Sequence, residues 1–299
     1  MSAPAALDAQ LVRQRFDRAA TQYGNAAVVQ REVGNRLLER FDVMRIDPRV
    51  VLDVGCGPGT HTDALVKRFP NAQIVALDTS AAMLEKAAPA ASGWLDRWSK
   101  KPRALGVCAD MSRLPIAQGV VDVLWSNFSM QWGGDLPALF SQWSRAIRND
   151  GVLMFTAPGP DTLKELRQTL AQIESPDLQR AHSFTDLHDL GDMLIHAGFA
   201  DPVMDMEVIT LEYNDTAALW RDLRDQAALS AIAARPRGLL TPRKFAALNA
   251  ALDRSRDGNG KIRMSIEVIY GHAWKVPPKK TAEGHGIVRI DAIKRGPRQ

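Results

Sequence analysis

Little in these 299 residues suggests a secreted, membrane-spanning or metal-clustered protein. There are two cysteines, Cys56 and Cys108, too few for a disulfide framework or a zinc site. A reduced, cytoplasmic setting is the simplest reading, and no metal is expected. No apolar run approaches the ~18 residues that span a bilayer, so no membrane segment is expected. Residues Met1–Gln10 lack a basic segment followed by an apolar one, so no secretory leader is expected either. There is no internal repeat and no low-complexity run. No Gly-Lys-Ser/Thr triplet is present to grip a phosphate. Charge is nearly balanced, at 38 Lys+Arg against 34 Asp+Glu, with a net +4 and a pI near 9.2. Such a mild excess suits an acidic partner, nucleic acid or carrier protein, and equally a partnerless soluble protein.

What the chain does have is alternation. From Val50 onward, short apolar runs alternate with stretches of helical spacing. Val50–Val54, Gln73–Leu77, Arg103–Cys108, Val120–Ser126 and Gly151–Thr156 read as strands. Thr60–Phe69, Ala81–Ala91 and Leu136–Ile147 read as the helices between them. This order predicts an α/β fold, a Rossmann-like, doubly wound, mainly parallel sheet with helices on both faces. Later, Asp161–Ile173, Phe184–Gly198, Ala217–Ala234 and Pro242–Leu252 read as helices. Val203–Tyr213 and Met264–Val276 read as two more strands, making seven. If the last strand joins the sheet, the helices near 215–255 are an insertion able to close over a site as a lid. The chain then divides into an N-terminal helical cap (1–48), a ligand-binding α/β core (49–160), the rest of the core with its lid (161–276) and a basic, partly mobile tail (277–299).

Val50-Val51-Leu52-Asp53-Val54-Gly55-Cys56-Gly57-Pro58-Gly59-Thr60 is the stretch around which the rest is arranged. A buried strand runs into a glycine-rich turn and then a helix, the place where an open α/β sheet binds a nucleotide-like ligand. The glycines are spaced G-x-G-x-G, unlike the G-x-G-x-x-G of dinucleotide folds. Asp53 is more telling. A carboxylate there repels a pyrophosphate but suits an ammonium or a sulfonium. Asp78, at the end of the second strand, has the two acceptor oxygens that grip ribose hydroxyls in such folds. As a helix N-cap it would serve only the backbone.

Asp53-Val54-Gly55-Cys56-Gly57-Pro58-Gly59 resembles motif I of the class I S-adenosylmethionine-dependent methyltransferases, and Leu77-Asp78-Thr79-Ser80-Ala81-Ala82-Met83 resembles their motif II. Ala109-Asp110-Met111-Ser112 is similar to their third motif. The resemblance implies S-adenosylmethionine as cofactor, with Gly55, Cys56 and Gly57 in the loop and Asp78 and Thr79 at the ribose. It sets Met83 against the adenine ring, Asp110 on the adenine amino group and the Met111 amide at the ring. Asn127, ending the fourth strand, would face the methionine moiety or the loop backbone. Core packing for Met83 and an exposed turn for Asp110 are the plain alternatives.

The segment after the fourth strand bears on the acceptor. Ser126-Asn127-Phe128-Ser129 replaces the Asn/Asp-Pro-Pro-Tyr of base-amino methyltransferases, and neither cysteine follows a proline, so no nucleic acid is expected. Several segments resemble the malonyl-acyl carrier protein O-methyltransferases of biotin synthesis. They are the opening Arg15-Phe16-Asp17-Arg18-Ala19-Ala20 with Tyr23 and Gln30-Arg31-Glu32, Trp125-Ser126-Asn127 with Gln131-Trp132, Leu219–Arg224, Arg235–Leu239 and Glu267–Trp274. That resemblance implies a malonyl-loaded acyl carrier protein as partner and adds Gln30 to the cofactor set. It makes Arg221 and Arg224 the first choices to hold the malonyl carboxylate, with Tyr23 closing the pocket or orienting the acceptor. A solvated helix face is the other reading of both arginines. His272, Trp274 and Trp132 are given no chemistry. The basic residues Arg235, Arg237, Arg243 and Lys244 would receive an acidic carrier or serve as a soluble surface. Two departures from the family fall near the expected acceptor pocket: Ala26 stands where a histidine is common, and Gln226-Ala227-Ala228 where Gly-Ala is usual. They keep open a methyltransferase for another small acceptor, or a methyltransferase-like assembly factor.

Overall fold

The structure, a computed structural model, describes residues 6–87, 104–173, 181–234, 238 and 240–277. Its apolar runs become β1 (Val50–Val54), β2 (Gln73–Asp78), β3 (Ala104–Cys108), β4 (Val121–Asn127), β5 (Ile147–Pro158), β6 (Phe199–Tyr213) and β7 (Ile262–Lys275). They form one sheet in the order β3-β2-β1-β4-β5-β7-β6. The first five strands pair in parallel, and β7 joins β5 and β6 antiparallel. The order reverses between β1 and β4, which opens a crevice at their carboxyl ends.

Both faces of the central strands are buried, as their unbroken apolar runs require. Alternate positions along each strand feed different cores. Leu52, Leu124 and Leu153 pack with α6 (Leu136–Ala146) and α8 (Leu187–His196), around Phe140 and Trp143. Val51, Val123 and Val152 pack on the other side with α3 (Val28–Glu39) and α4 (Thr60–Arg68), around Leu37, Phe41 and Trp125. Two further N-terminal helices, α1 (Ala9–Ala19) and the single turn α2 (Tyr23–Ala26), lead into α3. Beyond β2, α5 is Ala81–Ala87.

The C-terminal part has its own core. Leu166 of α7 (Lys164–Ile173), Leu219 and Leu223 of α9 (Thr216–Asp225), and Leu248 and Leu252 of α10 (Pro242–Arg254) pack against Tyr213, Ile262 and Met264 at the ends of β6 and β7. The helical pair α9 and α10 is thus inserted between the last two strands, as expected.

Several boundaries differ from the sequence reading. The helix expected over Ala217–Ala234 stops at Asp225, because Ala227 takes a left-handed φ of 55° and the chain then leaves helical geometry. Leu7 bridges Ile232, Asp8 N donates to Ala231 O, and Ala231 N donates to His182 Nε2. Helix α7 begins three residues later than expected, after Leu163 at φ 54°. Helix α8 begins at Leu187 rather than Phe184, since Asp186 caps it through Asp189 N. Strands β6 and β7 start earlier than the apolar pattern showed, because their antiparallel pairing carries polar residues along, and β5 starts earlier through a parallel pairing of Ile147 with Val121. The end of the Ala81–Ala91 helix, Arg103, the basic pair Arg235 and Arg237, and nearly all of the 277–299 tail lie outside the described residues.

Candidate functional site

A first cleft opens where β1 and β4 end. It is lined by Tyr23, Gln30, Arg31, Asp53, the 55–58 loop, His61, Trp125 and Asn127. The loop needs its glycines. Gly55, Gly57 and Gly59 have φ of 72°, 54° and 84°, where a Cβ is strained. A Cβ on Gly55 would also meet Ser129 Cβ at 2.3 Å. Ser129 is fixed there: its Oγ donates to Val54 O (2.7 Å) and pairs with Ser126 Oγ. Asp78 ties the loop down. Its two oxygens accept from Gly57 N (2.9 Å) and Ser80 N (2.8 Å).

The electrostatics of the cleft favour a cation. Asp53 is almost fully buried, and the Thr62 hydroxyl donates to it at 2.6 Å. Burial, helped by Asp78, pushes its carboxyl up to about 7. Asp78 is raised too, mainly by burial. Two buried carboxyls held this close, with no ion-pair partner among the described residues, form a site that a positive ligand would stabilise.

A second cavity adjoins the first, and Tyr23 and Gln30 line both. One wall is an aromatic row. Tyr23 lies 6.0 Å from Phe16, Phe16 lies 5.6 Å from Trp132, and Trp132 meets His182 edge-on at 5.2 Å, with Phe184 beyond. The opposite wall is α9 and its end, presenting Asp222, Leu223 and Gln226. Asp222 accepts from Tyr213 OH (2.5 Å) and from Gln226 Nε2 (2.6 Å). A carboxylate only accepts, so Gln226 must turn its carbonyl to Gln30 Nε2, at 2.9 Å. That leaves Gln30 Oε1 as a buried acceptor without a partner among the described residues, at the boundary of the two cavities. A ligand carrying ammonium or hydroxyl donors, or a sulfonium charge, suits that acceptor. Asp222 thereby fixes the orientation of Gln30, which lies 196 residues before Gln226 in sequence.

Of the residues chosen from sequence, Tyr23, Gln30, Asp53, Gly55, Cys56, Gly57 and Asn127 are brought together at the first cleft. Asn127 faces neither the loop nor open space. Its Nδ2 donates to Gln30 O (2.8 Å) and its Oδ1 accepts from Thr156 Oγ1 (2.7 Å), which braces α3. Gly34 permits this approach, since a Cβ there would lie 2.8 Å from Asn127 Nδ2 and 2.2 Å from His61. Thr79 follows Asp78 at the turn into α5, and Met83 is fully buried beneath it. Met111 reaches the Gly55 side of the loop. Asp110 is exposed and accepts from Ser112 N and Oγ within its own turn. Arg221 and Arg224 need correction: both are exposed on the outer side of α9, because Asp222, Leu223 and Gln226 occupy the face turned inward. Arg221 borders a surface groove beside Ala26, and Arg224 lines neither that groove nor the cavities beneath it. Sequence reasoning gave no role to Arg31, His61 or Asp222, noted Gln226 only as a departure from the family, and of the aromatic row gave chemistry to Tyr23 alone. Gln131-Trp132 stood in a quoted motif, but nothing local marked His182 or Phe184.

A methyltransferase-domain family model matches residues 51–151. A malonyl-[acyl-carrier protein] O-methyltransferase of Gallionella capsiferriformans is 41% identical over 285 residues, covering 95% of this chain and 96% of the relative. One of Laribacter hongkongensis is 43% identical over 290 residues, covering 95% and 96%. Among solved structures, the YcgJ protein of Bacillus subtilis superposes with a TM-score of 0.56 at 14% identity, covering 82% of this chain and 100% of its own, a likeness of fold.

Proposed function

The chain belongs to the malonyl-[acyl-carrier protein] O-methyltransferase family, and on that premise we propose how its two adjoining cavities share the work. The protein is an S-adenosylmethionine-dependent methyltransferase that methylates the free carboxylate of a malonyl thioester in biotin precursor synthesis. Its partner is the acyl carrier protein that bears the thioester, and its setting is the reducing cytoplasm, which suits the free thiols of Cys56 and Cys108.

The cofactor supplies a methyl group on a cationic sulfur. Asp53 and the unpaired Gln30 Oε1 give the first cleft its preference for positive charge. Asp78 offers its remaining lone pairs to ribose hydroxyls while holding the loop. Arg31 is a cation that lines the same cleft, placed for the carboxylate of an amino-acid moiety. The acceptor carboxylate is ionised at pH 7, since carboxyl pKa values lie near ~4, so no general base is needed. The chain's task is alignment and exclusion of water. Tyr23 stands between the cavities, and burial with Asp78 raises its phenol well above the ordinary value. It therefore keeps its proton and donates a hydrogen bond to the acceptor.

The observation that carries this reading is the shared border: Tyr23 and Gln30 line both the cation-favouring cleft and the aromatic cavity. The test is transfer from methyl-labelled cofactor. Label should appear on malonyl-carrier protein. Label passing only to RNA or to an unrelated small molecule would overturn the reading.

A further inference from the structure

The second cavity does not end at His182. A third cavity continues from it, and Thr162, Leu163, His182, Phe184, Leu223 and Ala228 line both. The continuation runs between α7, α9 and α10 and is walled by Leu166, Leu170 and Leu248. Its outer end is bounded by Trp220, Leu240 and Phe245. Phe245 exposes 41% of its surface there. A cleft, a cavity and a passage thus lie in series, from Asp53 to the surface of the inserted helical pair.

We propose that this passage takes the extended amide-bearing arm of a pantetheine thioester. The proposal rests on the methyltransferase reading. A malonyl group small enough to sit at Tyr23 does not need a second apolar cavity, whereas the arm that delivers it does. The walls suit such an arm, which is flexible, mostly methylene and punctuated by amides. Two polar groups interrupt the apolar wall. Ser230 lines the passage with a buried hydroxyl that has no hydrogen-bond partner among the described residues. Arg167 lines it too, its guanidinium held by the backbone carbonyls of Thr162 and Pro160. A buried hydroxyl without a partner is destabilising, and an amide of the arm would satisfy it. Arg243 and Lys244 precede Phe245 in the first turn of α10 and do not themselves line the passage.

His182 marks the junction. Its Nε2 accepts from Ala231 N (3.0 Å), and burial, with Arg15 nearby, lowers its pKa to about 4. The ring is neutral at pH 7 and holds the 226–234 segment in place, and that segment forms one side of the passage through Ala228, Leu229 and Ser230.

The test compares three malonyl thioesters: carrier-linked, coenzyme A-linked, and the N-acetylcysteamine thioester, which lacks most of the arm. Leu240→Trp is designed to narrow the outer end, and Ser230→Ala removes the unpaired hydroxyl. The expected result for Leu240→Trp is a rise in KM of at least about tenfold for both pantetheine-linked substrates, and of less than about threefold for the short thioester. Ser230→Ala should raise the two long-substrate values about threefold. Wild-type protein should also prefer either pantetheine-linked substrate to the short one at least about tenfold in kcat/KM, a reading that stands even if Leu240→Trp fails to fold. A loss shared equally by the short thioester overturns the proposal, as does a loss confined to the carrier-linked substrate, which would assign the contact to the carrier's surface. Wild-type protein that methylates none of the three refutes the methyltransferase reading, and the passage falls with it.

Discussion

The proposed cofactor cleft and the proposed acceptor cavity meet at two side chains, yet they are built in different ways. The cleft is made at strand ends. Asp53 and Gly55–Gly59 belong to the end of one strand, Asp78 ends the next, and Asn127 ends a third, so parallel pairing alone brings them together. The acceptor cavity is made by long-range docking. Phe16 comes from α1, Trp132 from the loop after β4, His182 from the segment before α8, and Asp222 from the inserted helix. Where the sheet fixes a site, spacing in the sequence reveals it. Where packing between distant segments fixes it, spacing says little.

The hardest blow to the cleft should be Gly55→Ala. The left-handed φ and the overlap with Ser129 together cost about 3 kcal/mol, and a cofactor dissociation constant about 100-fold higher results if the loop shifts. Calorimetric titration with S-adenosylmethionine, beside a melting curve, measures both. No change would mean that the loop does not set the cleft. Asp78→Ala comes next. It removes the acceptors for Gly57 N and Ser80 N, and the expected loss is about 2 kcal/mol, or about 30-fold in cofactor affinity. An unchanged affinity would return Asp78 to a purely local capping role.

Asp53 gives the comparison a pH axis. A neutral carboxyl does not attract a cation, and burial sets its pKa at about 7. Cofactor affinity should therefore rise by about tenfold between about pH 5.5 and about pH 7, and Asp53→Asn should flatten that slope. The sign for stability is the reverse. An acid raised by burial weakens the ligand-free fold as pH climbs from about 4 to about 7, so the melting temperature of wild type should fall relative to that of Asp53→Asn across that window. In the acceptor cavity the sign is opposite: burial, with Arg15 nearby, lowers His182 to about 4, so from about pH 4 to about 6.5 only the unfolded chain takes up its proton and its contribution to stability grows as pH climbs.

How far the sequence was legible reflects this division. The seven strands, their Rossmann-like order and the inserted helical pair were readable because buried parallel strands are continuous apolar runs. Helix ends were less so. Asp225 ends α9 because of Ala227's backbone and the bridge from Leu7 to Ile232, a contact between segments far apart in the chain. For the arginines, a charge on the inserted helix was visible, but not which side of it would face inward. Rotation about a helix is settled by its packed face, here Leu219 and Leu223, and these turn Asp222 and Gln226 to the cavity.

Asp222→Asn tests whether the cavity's polarity matters to transfer. An amide in its place can donate, so Gln226 is free to turn, and Gln30 with it. The expected effect is a fall of about fivefold in cofactor affinity and in kcat alike, since Gln30 Oε1 no longer faces the cleft and about 1 kcal/mol is lost from one charge-assisted hydrogen bond. A fall in kcat alone would confine Gln30's role to the acceptor side.

The smallest effect should come from the residues whose chemistry made them most attractive in the sequence. Arg221→Ala and Arg224→Ala alter exposed guanidiniums on the outer side of α9. Exposed charges often contribute about 0.4 kcal/mol or less, so kcat/KM for malonyl-carrier protein should stay within about twofold of wild type. The control is ionic strength. If either arginine steers an acidic carrier, its loss shows at low salt and fades at high salt, because the contribution is screened over about 10 Å at about 0.1 M. If instead the loss is about tenfold and independent of salt, the arginine contacts the substrate directly. Helix α9 would then have to rotate by about 100° per residue step to bring it inward, and the aromatic cavity would belong to a different state of the lid.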